Sequence, residues 1–402
     1  MMIERQSVNF DTYIEIVKPI VEDVRRNGDE AVRRYERQFN GLEISNFRVK
    51  KKEIDDAYEK VDDELIDALE IAKENISRFH SITAVDREIK IDFGDCIMGK
   101  VYTPIEVVGA YIPGGRASYP STAIMIGVPA KIAGVKKLVA CTPATKNGIN
   151  PLTLVACDIA GFDEIYSISG AQAIAAMAYG TESIPKVYKI VGPGNIYVTA
   201  AKLLVSKDVA IDMPAGPSEV LIIADETANP EFVAYDCLAQ LEHDPMAVAV
   251  LLTTSESLAQ QVSSILKEKN FFCKLVPNVE DAINYANDFA PEHLVLNIKN
   301  AEKYLEKIKN AGSVFLGNFS PVAAGDYASG TNHVLPTSGF AKFYSGLSVE
   351  SFMKHYTFQI LKEEALRRIG GAIVRLAEAE GLKMHAESIR KRIYSSISKT
   401  SS

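Results

Sequence analysis

Apolar residues recur at helical spacing through "DTYIEIVKPIVEDVRRNGDEAVRRYERQF" (11–39), with charges between them. That spacing predicts amphipathic helices, with Gly28 and Gly41 as stops. "EIDDAYEKVDDELIDALEIAKENISRFHS" (53–81) reads the same way, so residues 1–100 are expected to form a helical N-terminal arm or cover. From about residue 105 the rhythm changes. Apolar strand candidates "EVVGAYI", "KKLVACT", "DEIYSIS", "KVYKIVG" and "EVLIIAD" alternate with small-residue helices such as "STAIMIGVPAKIAG" and "GAQAIAAMAYG". Alternation of this kind predicts an α/β fold with a doubly wound parallel sheet covered on both faces. "KIAGVKKLVACT" and "DIAGFDEIYSIS" share a helix end, an Ala-Gly stop and a strand, which points to one βα unit used repeatedly.

A further α/β stretch runs from "MAVAVLLTTSESLAQQVSSILKEK" through "HLVLNI" to "GSVFLG", with Pro245 as the joint. The tail after about residue 347 is expected to be helical and to divide at Gly381, with an amphipathic helix on each side. So short a helical unit has little core of its own and needs another surface, such as a second subunit's. The expected divisions are 1–100 (N-terminal helical arm), 101–244 (first α/β domain), 245–346 (second α/β domain) and 347–402 (C-terminal helical segment).

Composition narrows the function classes. A chain of 402 residues exceeds one ordinary core, and 47% hydrophobic with 24% charged residues is far from disorder. The net charge of −8 argues against a nucleic-acid partner, since no large basic surface is available to neutralise phosphates. The basic clusters at 50–52 and 390–392 are short and read as solvated helix faces. Five scattered cysteines without a CxxC pair give no disulfide framework and no cysteine-ligated zinc. The first residues carry no apolar signal core and no run of 18 apolar residues occurs, so a cytoplasmic protein without a membrane span is expected.

Candidate chemistry lies at a few places. No intact GxGxxG is present, but "GAYIPGGRASYPS", "GAQAIAA" and "VGPGN" follow strands, where backbone amides could meet a dinucleotide or simply make tight turns. Of six histidines, His80 and His355 lie in amphipathic helical stretches and read as structural. In "CLAQLEHDP", Gln240 and His243 are three apart and share a helix face, either as a buried helix end or as half a metal site. "SPVAAGDYASGTNHVLPTSG" is a long Gly-rich loop carrying Asp326 and His333, and "AEGLKMH" sets Glu380 and His385 on either side of a glycine. "APEHLVL" puts Glu292 beside His293 where a loop enters a strand. Consecutive strand residues point to opposite faces, so the two cannot both face one core. The pair is either a solvated strand end or a proton-transfer pair.

Taken together, "YIPGG", "GAQAIAA", "VGPGNIYVTAAK", "IDMPAGPSEVL", "AQLEHDP", "APEHL", "AGDYASGTNHVLPT" and "SGLSVESFMKH" resemble the histidinol dehydrogenase family, from about residue 10 to 395. The resemblance implies two incomplete Rossmann-like domains, with N- and C-terminal pieces that help build an intertwined homodimer. It implies zinc held by Gln240, His243, Asp326 and His385, the last from the partner subunit, and a catalytic pair Glu292 and His293. It further implies that Ser218, His333 and Glu380 contact substrate and that Tyr111, Gln172 and Asn195 contact NAD. The implied reaction is the NAD-dependent oxidation of L-histidinol through L-histidinaldehyde to L-histidine. His293 suits the alcohol step, Glu292 the addition of water to the aldehyde, and the zinc a template for substrate nitrogens, the metal ligands and His293 thus also touching substrate. The chain departs from many bacterial members only in a shorter start. Competing expectations are a related dehydrogenase for another small polar alcohol, a zinc hydrolase, and a non-catalytic nucleotide-binding scaffold.

Overall fold

Near-continuous apolar strands need cover on both faces, and the chain supplies it twice. The computed structural model describes residues 9–114 and 118–397, with side chains to 393, so residues 115–117 of the first glycine-rich turn lie outside the described residues. Two units are formed: one from the chain up to Ala84 together with Pro104–Phe352, the other from Val85–Thr103 together with the chain from Met353 onward.

Helices α1 (Phe10–Asn40), α2 (Lys51–Tyr58) and α3 (Asp63–Thr83) come first, followed by strands β1 (Glu88–Asp92) and β2 (Cys96–Pro104). The first large sheet is laid down by β3 (Val107–Tyr111), α4 (Pro120–Ala133), β4 (Lys137–Thr142), α5 (Pro151–Ala160) and β5 (Glu164–Ser167). It is completed by α6 (Gly170–Tyr179), β6 (Lys189–Val191), α7 (Ile196–Val205) and β7 (Ala210–Ile211). Its strand order is β5-β4-β3-β6-β7, all parallel. The second large sheet opens with β8 (Glu219–Ala224), α8 (Pro230–Leu241), β9 (Val248–Thr253), α9 (Glu256–Ile265) and β10 (Phe271–Leu275). It closes with α10 (Val279–Phe289), β11 (His293–Asn297) and β12 (Ser313–Leu316), in the order β10-β9-β8-β11-β12, again all parallel. Both sheets therefore start in the middle, grow to one side, and then cross to the other. That is the doubly wound order of a Rossmann-like fold, cut to five strands.

Along β8, Val220, Ile222 and Ala224 pack toward α8 and α9, while Leu221 and Ile223 pack toward α10, which explains an apolar run with no polar alternation. Gly134 and Gly161, the two stops of the internal echo, end α4 and α5 in the left-handed conformation at φ +89° and +86°. Such a cap favours glycine because a Cβ is penalised there.

Several expectations change. "EVLIIA" was expected in the first domain, with a division after residue 244; it is the central strand of the second sheet, paired with β9 and β11 on its two sides. A strand buried on both faces carries no sign of which sheet owns it. The N-terminal section is a cover: α1 packs across α6 and α7, α3 on α4, and α2 on α5. It is also not wholly helical, since β1 and β2 join β13 (Met353–Leu361) in a three-stranded sheet of the smaller unit. "EIKID" and "MKHYTFQIL" are largely exposed and mix charges with apolar residues, which masks their period. Beyond β13, α12 (Glu363–Ala379) and α13 (Lys383–Ile397) pack on each other across the expected break at Gly381. Among the described residues no helix is long and apolar enough to cross a membrane.

Two glycines test the packing with one chemical change. A Cβ on Gly127 of α4 would stand 2.6 Å from the Ala160 Cβ and 2.7 Å from its carbonyl oxygen in α5, whereas one on Gly371 of α12 meets nothing within 4 Å. Gly127→Ala should lower unfolding stability in urea by about 1–3 kcal/mol. Gly371→Ala should raise it by about 0.5–1 kcal/mol, through helix propensity alone.

Candidate active site

Where β3 and β6 lie side by side, the chain leaves the first sheet in opposite directions, the switch point at which such sheets bind ligands. A cavity of about 470 Å³ opens there. Tyr111 at the end of β3 and Pro193, Gly194 and Asn195 after β6 form one wall. The facing wall comes from the second sheet, and from its opposite end: Ser218 precedes β8, His243 precedes β9, Glu292 precedes β11, and His293 is the first residue of β11. Asp326 in the short helix α11 (Val322–Tyr327), and His333 beyond it, complete that wall. One crevice thus takes the carboxyl edge of one sheet and the amino edge of the other.

Pro291 ends the loop before β11, and Ala290 holds φ +50°. The kinked entry lets both adjacent polar residues sink: Glu292 is 6% and His293 4% exposed. The Glu292 carboxylate accepts the backbone N–H of Glu219 at 2.9 Å and lies 3.8 Å from His293 Nδ1. His293 Nδ1 meets Gln240 Oε1 at 3.1 Å, and its Nε2 faces Asp326 Oδ1 at 3.4 Å. The imidazole therefore lies between two carboxylates with an amide beside it.

Burial pushes the Glu292 carboxyl up to about 7, with the nearby His293 only partly opposing the rise. Burial alone would lower His293, but Glu292 and Asp326 outweigh it and raise the imidazole above its ordinary value. Burial would likewise raise Asp326, yet the His293 hydrogen bond and the neighbouring His293, His333 and His243 hold it low. Burial lowers His333 below its ordinary value. Its Nδ1 is 2.6 Å from the Asp326 carbonyl oxygen, which can only accept, so Nε2 is left to accept the Thr122 hydroxyl at 3.3 Å.

Helix α8 stops at Leu241, so His243 stands just past its end, exposed at the cavity, while Gln240 is buried one turn back against His293. Gln172 is buried behind the wall, donating to Glu36 at 2.9 Å and Ser169 at 3.2 Å. The Tyr111 hydroxyl reaches the same helix, accepting the Gly170 N–H. Glu380 and His385 lie in the smaller unit, exposed, at the C-cap of α12 and in the first turn of α13.

Known proteins decide the family. A sequence model of the family described as histidinol dehydrogenase matches residues 3–393. The chain belongs to the histidinol dehydrogenase family. A histidinol dehydrogenase of Archaeoglobus fulgidus is 68% identical over 394 residues, covering 97% of this chain and 98% of that protein. One from Methanocaldococcus jannaschii is 50% identical, over 98% and 95% of the two chains. The crystal structure of histidinol dehydrogenase from Elizabethkingia anophelis superposes with a TM-score of 0.93 at 42% identity, covering 98% of this chain and 94% of that one. The chain is accordingly an oxidoreductase of the histidinol dehydrogenase family, with the α/β architecture described above.

Thr122 and Glu36 had not been singled out from sequence. Glu36 falls in line with Val32 on the inner face of α1, and a charge in step with an apolar stripe is the signal that could have marked it.

The raised Glu292 gives a stability prediction. Below pH 4.5 the carboxyl is protonated folded and unfolded alike. As the pH climbs from 4.5 to 7 the unfolded chain ionises first, so folding stability is lost over that window, by up to about 3 kcal/mol. Glu292→Gln carries no such cost. In metal-free protein it should match the parent in urea at pH 4.5 and exceed it at pH 8.

Proposed function

We propose that this chain is a zinc-dependent histidinol dehydrogenase that uses NAD to oxidise L-histidinol to L-histidine, by way of L-histidinaldehyde, in histidine biosynthesis. The observation that carries the proposal is the buried Glu292–His293 pair, set across one cavity from the glycine-rich turns of a Rossmann-like sheet. A non-catalytic scaffold has no need of two proton acceptors held out of water.

The first oxidation releases a hydroxyl proton as hydride leaves the carbinol carbon. His293 takes it once neutral, and its raised value means that this step speeds up as the pH rises through the imidazole's titration. The second oxidation requires water on the aldehyde carbon. Glu292, ionising at about 7, is a base matched to neutral pH, and its Glu219 N–H partner keeps one carboxylate oxygen fixed while the other turns to water. His333, anchored by the Asp326 carbonyl and Thr122, offers an orienting contact to substrate, as does Ser218. Tyr111 and Asn195, with Gln172 supporting from behind, would hold NAD, which would supply the acceptor for the two hydrides.

The donor set fits zinc. Asp326 and His243 line the cavity, and the Gln240 amide is buried beside them with Nε2 lacking a partner among the described residues. Turning that amide over would hand its NH2 to His293 and present its oxygen, an assignment hydrogen-bond logic permits. When bound, the ion would hold the substrate's imidazole and amine nitrogens as a template. Among the described residues no three His, Cys, Asp or Glu side chains of one chain are gathered around a metal position. We assign the fourth ligand, His385, to a second subunit. A homodimer is supported further by exposed Leu376, Leu382 and Met384 around Glu380 and His385, and by Ile89, Ile91 and Met98 on one face of the small sheet.

Incubation with L-histidinol and NAD should yield two NADH per histidine and cease with a chelator. Glu292→Gln should leave aldehyde formation within a few-fold and slow aldehyde oxidation by about 10²–10³, while His293→Asn should slow the alcohol step. Equal loss of both half-reactions in both variants contradicts this division. A 1:1 mixture of exchanging His385→Ala and His243→Ala dimers should recover about a quarter of parental activity, because half the dimers then hold one intact site. Confirmed exchange with no recovery points instead to ligands from one chain.

A further inference from the structure

Helix α7, "IYVTAAKLLV", carries one charge, and that charge is inside the protein. The side chain of Lys202 is 3% exposed and faces the Asp212 carboxylate, 2% exposed. The ammonium also donates to the Gly192 carbonyl at 3.0 Å and the Met213 carbonyl at 3.2 Å. Asp212 Oδ2 in turn accepts the Gly192 N–H at 2.7 Å. One buried ion pair thus holds both polar groups of one glycine. Gly192 sits at φ +108°, and a Cβ there would stand 2.3 Å from the Tyr111 carbonyl oxygen.

Each held residue leads directly into cavity wall. Gly192 runs on into Pro193, Gly194 and Asn195, and Met213 into the stretch ending at Ser218 on the opposite side. A second bond from α7, Thr199 Oγ1 to the Ala215 carbonyl at 3.0 Å, fixes that stretch as well. Stability does not explain the arrangement, because apolar replacement of a buried ion pair is often neutral or stabilising. An apolar pair, however, cannot grip the Gly192 peptide.

We propose that Lys202 and Asp212 are positioning residues for dinucleotide binding: together they fix the Gly192–Asn195 turn, and through it the backbone amides and the Asn195 side chain that meet NAD. The proposal rests on the reading that NAD lies against the first sheet. Neither residue touches the reacting atoms.

The test compares the full-length parent with Asp212→Asn, Lys202→Met and the double variant Lys202→Met/Asp212→Leu. NAD dissociation constants, L-histidinol binding without NAD, and urea stability are measured for each. The single variants should lose stability, each leaving one buried charge unpaired, and the double variant should recover it. NAD affinity should stay at least about tenfold weaker in the double variant and in Asp212→Asn, with histidinol binding within about threefold of the parent. A stable double variant with parental NAD affinity, or parallel loss of both ligands in Asp212→Asn, overturns the proposal and leaves the pair a fold element. A parent that binds histidinol but not NAD overturns the reading of the subsite itself, and the positioning role with it.

Discussion

A buried carboxylate, a buried imidazole and a partly buried second carboxylate stand in a row, Glu292, His293 and Asp326, where β11 begins. Placing three ionisable groups there is costly unless each compensates another, and the compensation is unequal. Asp326 is held ionised by the histidines around it, His293 is drawn toward its cationic form, and Glu292 is left to bear the cost of burial. The inequality leaves one acid held charged and one that exchanges its proton near neutrality. The two carboxylates can take different roles because their surroundings differ.

The backbone makes this possible. At the end of a parallel sheet the amino edge offers N–H groups, and the Glu219 N–H, at the start of the neighbouring strand, meets the Glu292 carboxylate. At the carboxyl edge of the other sheet, the crossover at β3 and β6 opens a gap of the kind in which such sheets bind ligands. One edge of each kind thus borders a single cavity, the acid–imidazole cluster on one wall and the turn after β6 on the other. The first sheet's wall is in turn only as fixed as the turn after β6, whose glycine is held by Lys202 and Asp212.

Much of this was legible in the sequence because the forces are local. Helix stops at Gly41, Gly134 and Gly161 are left-handed caps, Gly381 takes a positive φ just past the α12 cap, and the strand entry at Pro291 follows from the missing N–H of proline. What could not be read is non-local. β8 belongs to the second sheet through pairings with strands later in the chain, and no feature within its six residues says so. β1 and β13 are brought together across more than 250 residues of sequence with β2 between them, and their mixed, exposed side chains leave no clean period. The charged residues that look like solvated helix positions, Asp29, Glu36 and Lys202, are buried because distant loops carry their partners: Thr181 and Ser183, Ser169, and Asp212. Of these, Glu36 in step with an apolar stripe and Lys202 alone in an apolar helix carry a local signal, though neither was read from it.

Everything at the site depends on Glu292 being a carboxyl that burial has carried into the neutral range. Its titration can be followed directly in metal-free protein labelled with ¹³C at the glutamate carboxyl carbons, with Glu292→Gln identifying the resonance. A midpoint at about 7 is the predicted result. A midpoint near 4.5, the value of a glutamate in water, would contradict the assignment of Glu292 as the base that activates water.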